Sequence, residues 1–429
     1  MVLVTIDSVR ADHCGFLSES ETTPTLDEIA SNSVVFENAI APGPQTLSSV
    51  PAIHTGTPLP VTDHQITSYG ERINRIKEHI GSHRTIAEEF GDMGYSTACV
   101  EANPWTSSTA NFDKGFDYFY DVGGEQRKHV SNRFEGTALG PPIRTLKRWY
   151  NKDGWFSRWP QFYDQIISVI EELSEPYFVW IFLLDTHNPY FVGRKDRVES
   201  SAIGMYYSLA RANSVLGGAN DGTNYKNRLP PHVETRVKRA YRDSIRSVDR
   251  FIDALLTDTA DDDPILALYS DHGEAFGEHD TYGHQHQLYE ENIHVPFLVY
   301  NVGMDERVSD PISLLKLTET LKKCVSDDST SLSDWTNDYV FSRTEDSSTV
   351  TVRGERWKYI STDSSEQLFD LKKDPEEQVD LSSEEMDQLQ RLRSLKERRM
   401  ESLPQKDVSL TENTNEELKE RLDALGYVG

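Results

Sequence analysis

Short runs of β-branched and large apolar residues alternate along the chain with amphipathic stretches, and their order predicts an α/β protein. Val2–Ile6 (VLVTI) is a strand-like run that ends at Asp7, and the segment behind it, SVRADHCGF, turns polar as a loop entering a helix does. The order repeats. TIAEEFGDMGY leads into STACVEAN, and QIISVIEELSEP leads into YFVWIFLLD, each time as helix, short loop and buried strand. Such repetition implies a large, mostly parallel sheet sandwiched by helices. Tyr241, Ile245, Val248, Ile252 and Leu255 recur every three or four residues and mark an amphipathic helix ahead of another strand, ILALYS, which stops at Asp271. In open α/β sheets, sites lie beyond the carboxyl ends of the strands, so Asp7, Asp185 and Asp271 are predicted to share one edge.

Beyond about residue 330 the pattern changes to short strand-like pieces, DYVFSR, TVTVRG and KYIS, with turn residues between them and charged helical segments after them. The expected division is a catalytic α/β domain over 1–330 and a smaller C-terminal α+β subdomain over 331–429. A chain of 429 residues is long enough for two such units. Residues 401–415 are polar and lead to EELKERLDALGYVG, a docking helix or tail. The stretches 121–165 and 190–235 show no periodic pattern and are the expected specificity loops.

Composition narrows the partners. Seventy-one acidic residues stand against 44 basic ones, a formal charge of −27, and only 17 of the basic residues are Lys. That balance excludes nucleic acid as the expected ligand and fits a surface that stays hydrated in concentrated salt, as in a halophile. Cys14, Cys99 and Cys324 are widely spaced, without a CxxC pair, and are expected as reduced thiols. No window reaches the ~18 apolar residues of a membrane span, and the N-terminal residues read as a strand rather than a leader. The expectation is a cytoplasmic protein without membrane insertion.

The densest chemical signal is SDHGEAFGEHDTYGHQHQLYEENIHVPF, Ser270 to Phe297, with five histidines and several carboxylates directly after a buried strand. An Asp-His pair at a strand end offers an oxygen and a nitrogen ligand to one divalent ion, and Gly273 lets the backbone turn tightly there.

TIDSVRADHCG, the loop ending in HTG, LLDTHNPY, SDHGEAFGEH and LYEENIHVPF occur in one order, followed by ERWKYI, QLFDLKKDPEEQVDL and LDALGYVG. In these pieces the chain resembles the sulfatase family of alkaline phosphatase-like hydrolases over nearly its whole length. The resemblance implies an α/β fold of that type and a hydrolase acting on ester bonds. It implies one divalent metal ion held by Asp7, Asp271 and His272, with a nucleophile that also binds the metal. Counting back ten residues from Gly56 of the Thr55-Gly56 pair places that nucleophile at Thr46. His187 matches a family histidine that faces the leaving group. His284 and His286 fall where sulfatases carry a lysine near the anion, with Gln285 nearest that position and His284 the favoured contact. Calcium or magnesium suits the oxygen ligands, while the histidine also admits manganese or zinc.

The departures are as informative. The cysteine that becomes formylglycine is absent, the arginine of the C-x-P-S-R pattern is Val50, and the second aspartate often found beside the first is Ser8. Asp185 and His187 are two apart, not four, which points to one metal. A hydrated aldehyde expels sulfate from its second hydroxyl, whereas a threonine ester must be cleaved by water at sulfur or phosphorus. Threonine therefore tilts the expected substrate, a small-molecule or glycan ester, toward phosphate or phosphonate and away from the sulfate that the family name implies. Two alternatives stand beside hydrolysis: a degenerate relative that binds an anionic glycan or partner, and a phosphoryl-group transferase. Thr46 is read as a helix cap as well as a nucleophile, and Pro51 is expected to kink or shorten the helix. Arg10, Asp12 and His13 are read as braces of the first loop, and His64, His279 and His294 as structural.

Overall fold

Each apolar run forms a strand of one central sheet in the computed structural model, which describes residues 1–61, 68–122, 157–216, 228–284, 286–326, 335–404 and 422. The strands are β1 (Val2–Ile6), β2 (Ser33–Phe36), β3 (Ser96–Glu101), β4 (Tyr118–Asp121), β5 (Tyr177–Leu183), β6 (Leu266–Ser270), β7 (Phe297–Tyr300) and β8 (Glu306–Val308), in the order β8-β2-β7-β6-β1-β5-β3-β4. All run parallel except β7, which is antiparallel to both its neighbours. Every residue of β1, β5 and β6 is buried, which is why these strands are continuously apolar and do not alternate.

Register sets the site. Ile6 pairs with Leu183 on one side and Ser270 on the other, so Asp7, Leu184 and Asp271 emerge level at the carboxyl edge. Asp185 follows one residue later, and its carboxylate turns away to accept from Trp159 N at 3.1 and 3.3 Å. Two of the three strand-terminal aspartates therefore meet, and the third is spent on a neighbouring loop.

The helices that carry the argument are α1 (Thr46–Thr55), α2 (Tyr69–Ser82), α3 (Ile86–Asp92), α4 (Pro231–Asp258), α5 (Glu290–Ile293) and α6 (Met386–Ser402). Ser68 with Glu71 and Thr85 with Glu88 form capping boxes that start α2 and α3. Tyr241, Ile245, Val248, Ile252 and Leu255 line the buried face of α4, as their spacing predicts, each contributing about 1.5–3 kcal/mol. Pro51 does not break α1, which runs unbroken through it. The helix is buried almost throughout, and Ser49 Oγ bonds Asp271 O at 2.7 Å, so packing overrides the lost backbone bond.

A separate antiparallel meander follows: β9 (Tyr339–Arg343), β10 (Thr349–Gly354), β11 (Trp357–Thr362) and β12 (Glu366–Asp370). Its strands contain the predicted DYVFSR, TVTVRG and KYIS pieces, and Leu389 and Leu392 of α6 pack on Val352, Tyr359 and Leu368. The expected 330/331 division, His64, Gln285, much of both expected specificity loops and all of the tail except Leu422 lie outside the described residues. No helix among the described residues is long and apolar enough to cross a membrane.

His279 links the long loop after β6 to this meander: Nδ1 donates to Glu291 Oε1 at 2.8 Å, and Nε2 lies 3.1 Å from Glu377 O. Burial alone lowers its pKa, but Glu291 outweighs burial and the net shift is upward from 6.5. A histidine whose pKa is raised on folding stabilises fully below its unfolded value and loses that contribution as pH rises through the folded value. The melting-temperature gap between wild type and His279→Gln is expected to be widest below pH 6.5 and to shrink as pH rises above it. A gap independent of pH would sink the assignment.

Candidate metal centre

Asp7, Asp271 and His272 meet at the carboxyl edge of β1 and β6, each fully buried, with one ligand atom apiece within 4.8 Å of the others. His272 Nδ1 lies 2.9 Å from Gly273 O. A carbonyl only accepts, so the proton sits on Nδ1 and the Nε2 lone pair faces the carboxylates, 3.6 Å from Asp271 Oδ2 and 3.8 Å from Asp7 Oδ1. Burial pulls the His272 pKa down to about 4, which keeps the ring neutral and able to ligate. Asp271 Oδ2 is buried and has no hydrogen-bond partner. Burial, then the charge of Asp7, push the Asp271 pKa well up. Asp7 is shifted down: burial opposes its charge, but His187, His272 and Ser8 together outweigh it. An orphaned carboxylate oxygen, a second carboxylate and an imidazole lone pair, all facing one another away from water, fit a divalent cation.

Sequence tightness around these ligands is visible at two points. A Cβ on Gly273 would lie 2.1 Å from Glu291 O, so only glycine lets α5 close on the loop. Ser8 adopts φ +60°, which turns its N–H toward Asp271 Oδ1 at 3.3 Å and its hydroxyl to Asp7 Oδ1 at 2.6 Å. The serine in the position of the family's second aspartate is thus a hydrogen-bond donor to the first.

Thr46 is the first residue of α1, and Gln45, not Thr46, occupies the cap position. Its hydroxyl makes no capping bond. It points at the carboxylates, 3.4 Å from Asp7 Oδ2 and 3.3 Å from His272 Nε2, which corrects the capping expectation. Asn103, just past β3, completes this side: Nδ2 donates to Asp7 Oδ2 at 2.9 Å and lies 3.5 Å from Thr46 Oγ1.

On the other side His284 stands with its ring centroid 4.5 Å from that of His272 and 5.7 Å from that of His187. His284 Nδ1 donates to Glu274 Oε1 at 3.1 Å, and Tyr190 Oη donates to Glu274 Oε2 at 2.8 Å. Burial lowers the His284 pKa, but Glu274 more than reverses it, so the ring is held more basic than an ordinary histidine. His187 Nδ1 donates to Asn188 O at 2.6 Å. His286 is exposed and offers its backbone carbonyl to Thr349 Oγ1 at 3.4 Å, outside this cluster. His294 Nε2 bonds Glu37 O at 2.8 Å, also away from it. Arg10 pairs with Asp12 and Glu278, and Tyr241 Oη accepts from Arg10 N and donates to Ser8 O, so helix α4 props the Asp7 loop.

Asn103, Glu274, Tyr190 and Tyr241 extend the predicted set. Glu274 had a signal, because it adjoins the Asp-His-Gly triplet. Asn103 had only its place after a strand.

Asp271→Asn is expected to weaken divalent-cation affinity by about 10²-fold or more, since it removes a ligand charge and leaves a buried amide in its place. Isothermal titration of metal-free protein measures this, and unchanged affinity would remove Asp271 from the ligand set. Stripping the ion from wild type should lower its stability by about 2.7 kcal/mol relative to protein at a hundredfold excess over Kd.

A model of the sulfatase family matches residues 1–326. The arylsulfatase of Clostridium perfringens is 24% identical over 447 residues, covering 90% of this chain and 90% of that protein. Among solved structures, the phosphonate monoester hydrolase of Agrobacterium radiobacter superposes with a TM-score of 0.65 at 15% identity, over 94% of this chain and 95% of that one. A protein solved with its substrate D-glucosamine-2-N,6-O-disulfate gives 0.64 at 15% identity, over 94% and 97%.

Proposed function

The chain belongs to the sulfatase family of ester hydrolases, and we propose that it cleaves a phosphate, phosphonate or sulfate ester with Thr46 as nucleophile at a centre holding one divalent cation. The observation that carries this reading is the Thr46 hydroxyl, buried and turned from its own helix toward Asp7 and His272. A cation bound by Asp7, Asp271, His272 and Thr46 would supply Lewis acidity and lower the hydroxyl pKa. Calcium or magnesium suits the oxygen donors best, with manganese or zinc admitted by His272.

Asp7 Oδ2, 3.4 Å away, is placed to accept the Thr46 proton, and Asn103 contacts both groups. Thr46 Oγ1 attacks phosphorus or sulfur, the ester bond to the alcohol breaks, and the departing oxygen takes a proton from His284 or His187. His284 suits the role because Glu274 shifts it toward its protonated form. The start of α1 presents backbone N–H groups to the equatorial oxygens. Water then cleaves the threonine ester, returning the hydroxyl.

Threonine supplies one oxygen only and has no second hydroxyl with which to expel sulfate, so water must attack the central atom. That favours phosphate or phosphonate esters of small molecules or glycans. Matched aryl sulfate, aryl phosphate, phosphodiester and phosphonate substrates, assayed in high salt across a panel of divalent ions, test the assignment. Faster turnover of the phosphorus esters supports it. Faster sulfate turnover overturns the substrate class, and no turnover by folded, metal-loaded protein favours a binding role.

A further inference from the structure

Between helix α1 and the C-terminal meander lies a cavity of about 20 Å³, lined by Ser48 and Ala52 of α1, by Leu59 and Arg75, and by Arg343 and Glu345 at the end of β9. It is separate from the metal centre and has a different chemistry. Arg75 is 4% exposed, and its Nε–H has no hydrogen-bond partner. Its other nitrogens are engaged with Pro60 O at 2.6 Å, Glu345 O at 3.3 Å and a long contact to Glu345 Oε1 at 3.6 Å. Arg343 donates to Leu59 O, to Pro60 O at 3.4 Å and to Ser347 Oγ at 2.5 Å. Among the described residues no carboxylate lies in ion-pair range of it. Glu345 is shared between Arg75 and Arg72, whose Nε is 3.1 Å from Oε2. Three guanidiniums thus face the carboxylates of Glu345 and Asp346, and the cluster carries a surplus positive charge in a poorly hydrated place. Burial, then Arg75 and Arg399, push the Arg343 pKa down to about 10, the direction expected where like charges face each other without a counter-ion.

We infer that this cavity binds one small monovalent inorganic anion of chloride size. Its volume accommodates a small guest, a single water-sized one requiring about 10–15 Å³. An anion there offsets the surplus charge of the Arg75 and Arg343 guanidiniums that line it. It also ties β9 to α1, the helix that begins at Thr46, so the join between the two parts of the chain becomes sensitive to the kind of salt and not only its concentration. A protein with this surface charge meets such anions in quantity wherever concentrated salt is present.

The experiment compares sodium chloride, sodium bromide and sodium gluconate at equal ionic strength, the last anion being too large to enter. Wild-type melting temperature is expected to be higher in chloride and bromide than in gluconate and to rise with the logarithm of chloride concentration once the site approaches saturation. Arg343→Met, checked for native circular dichroism, should show the same melting temperature in chloride and gluconate. Chloride-35 NMR of wild type provides a readout independent of the variant's folding: the line should broaden, and bromide should narrow it by competition. Equal stability of wild type in chloride and gluconate, a chloride increment retained by folded Arg343→Met, or an unbroadened chloride line would each overturn the inference.

Discussion

Thr46→Ala is expected to lose roughly 10⁴–10⁶-fold in kcat on the best ester while keeping its divalent-cation affinity within about tenfold. The first figure follows from removing the hydroxyl that contacts both Asp7 and His272, so that the proposed two-step displacement has no first step. The second follows because Asp7, Asp271 and His272 remain, and a threonine hydroxyl is the weakest of the four donors. Thr46→Ser should retain far more activity, since it keeps the oxygen and loses only a methyl group. Steady-state kinetics together with calorimetric titration of the metal check both halves. Turnover by Thr46→Ala within tenfold of wild type would transfer the nucleophile's role to water, and a collapse of metal affinity would make Thr46 chiefly a ligand.

Lys358→Met is expected to destabilise the protein by about 3–5 kcal/mol, among the largest effects of any single substitution. Lys358 on β11 is fully buried, and its Nζ lies 2.9 Å from Glu290 Oε1 and 2.9 Å from Glu377 Oε1. The second contact is close enough for an ion pair, although it is not aligned as a hydrogen bond. Without the ammonium, two buried carboxylates face each other with Arg353 as the remaining cation, 3.2 Å from Glu290 Oε2. Burial already raises the Glu377 pKa to about 7 against the pull of Lys358, so the cost of leaving it unpaired is high. Urea unfolding in high salt gives the difference. Adding Glu377→Gln to Lys358→Met should recover part of the loss, because it removes the stranded charge. A loss under 1 kcal/mol, or no recovery, would show that solvent reaches the cluster and solvates it.

The residues legible in the sequence are those whose neighbours in sequence already encode their place. Asp7 and Asp271 end apolar runs, and a parallel sheet puts such ends on one edge. His272 follows its partner directly, and Thr46 stands at a fixed spacing from a Thr-Gly pair. Asp185 obeyed the same rule of position, but rotation about its side chain aims it at Trp159, and no strand pattern encodes that choice. Asn103 was illegible for a similar reason: it bonds Asp7 across 96 residues of chain, and only the packed sheet makes them neighbours. The cap expected of Thr46 failed because the helix begins one residue earlier than a Thr46 cap requires, with Gln45 at the cap, which leaves the Thr46 hydroxyl turned toward Asp7 and His272. Pro51 lies inside α1 without ending it, because the helix is held by its surroundings and not by propensity alone. The Lys358 cluster was hidden within a motif read for its family likeness, since a lysine flanked by Trp and Tyr looks like a surface position on an alternating strand.

Thr46 and His272 are 226 residues apart in sequence yet 3.3 Å apart in space, and that separation governs when the centre comes into being. Asp7 and Thr46 precede β6 in the chain, and neither meets His272 until β6 has been made and inserted beside β1. During most of translation the nascent protein holds only half of a ligand set. A chain truncated before residue 271 would therefore lack Asp271 and His272, two of the three residues that meet at the proposed cation site.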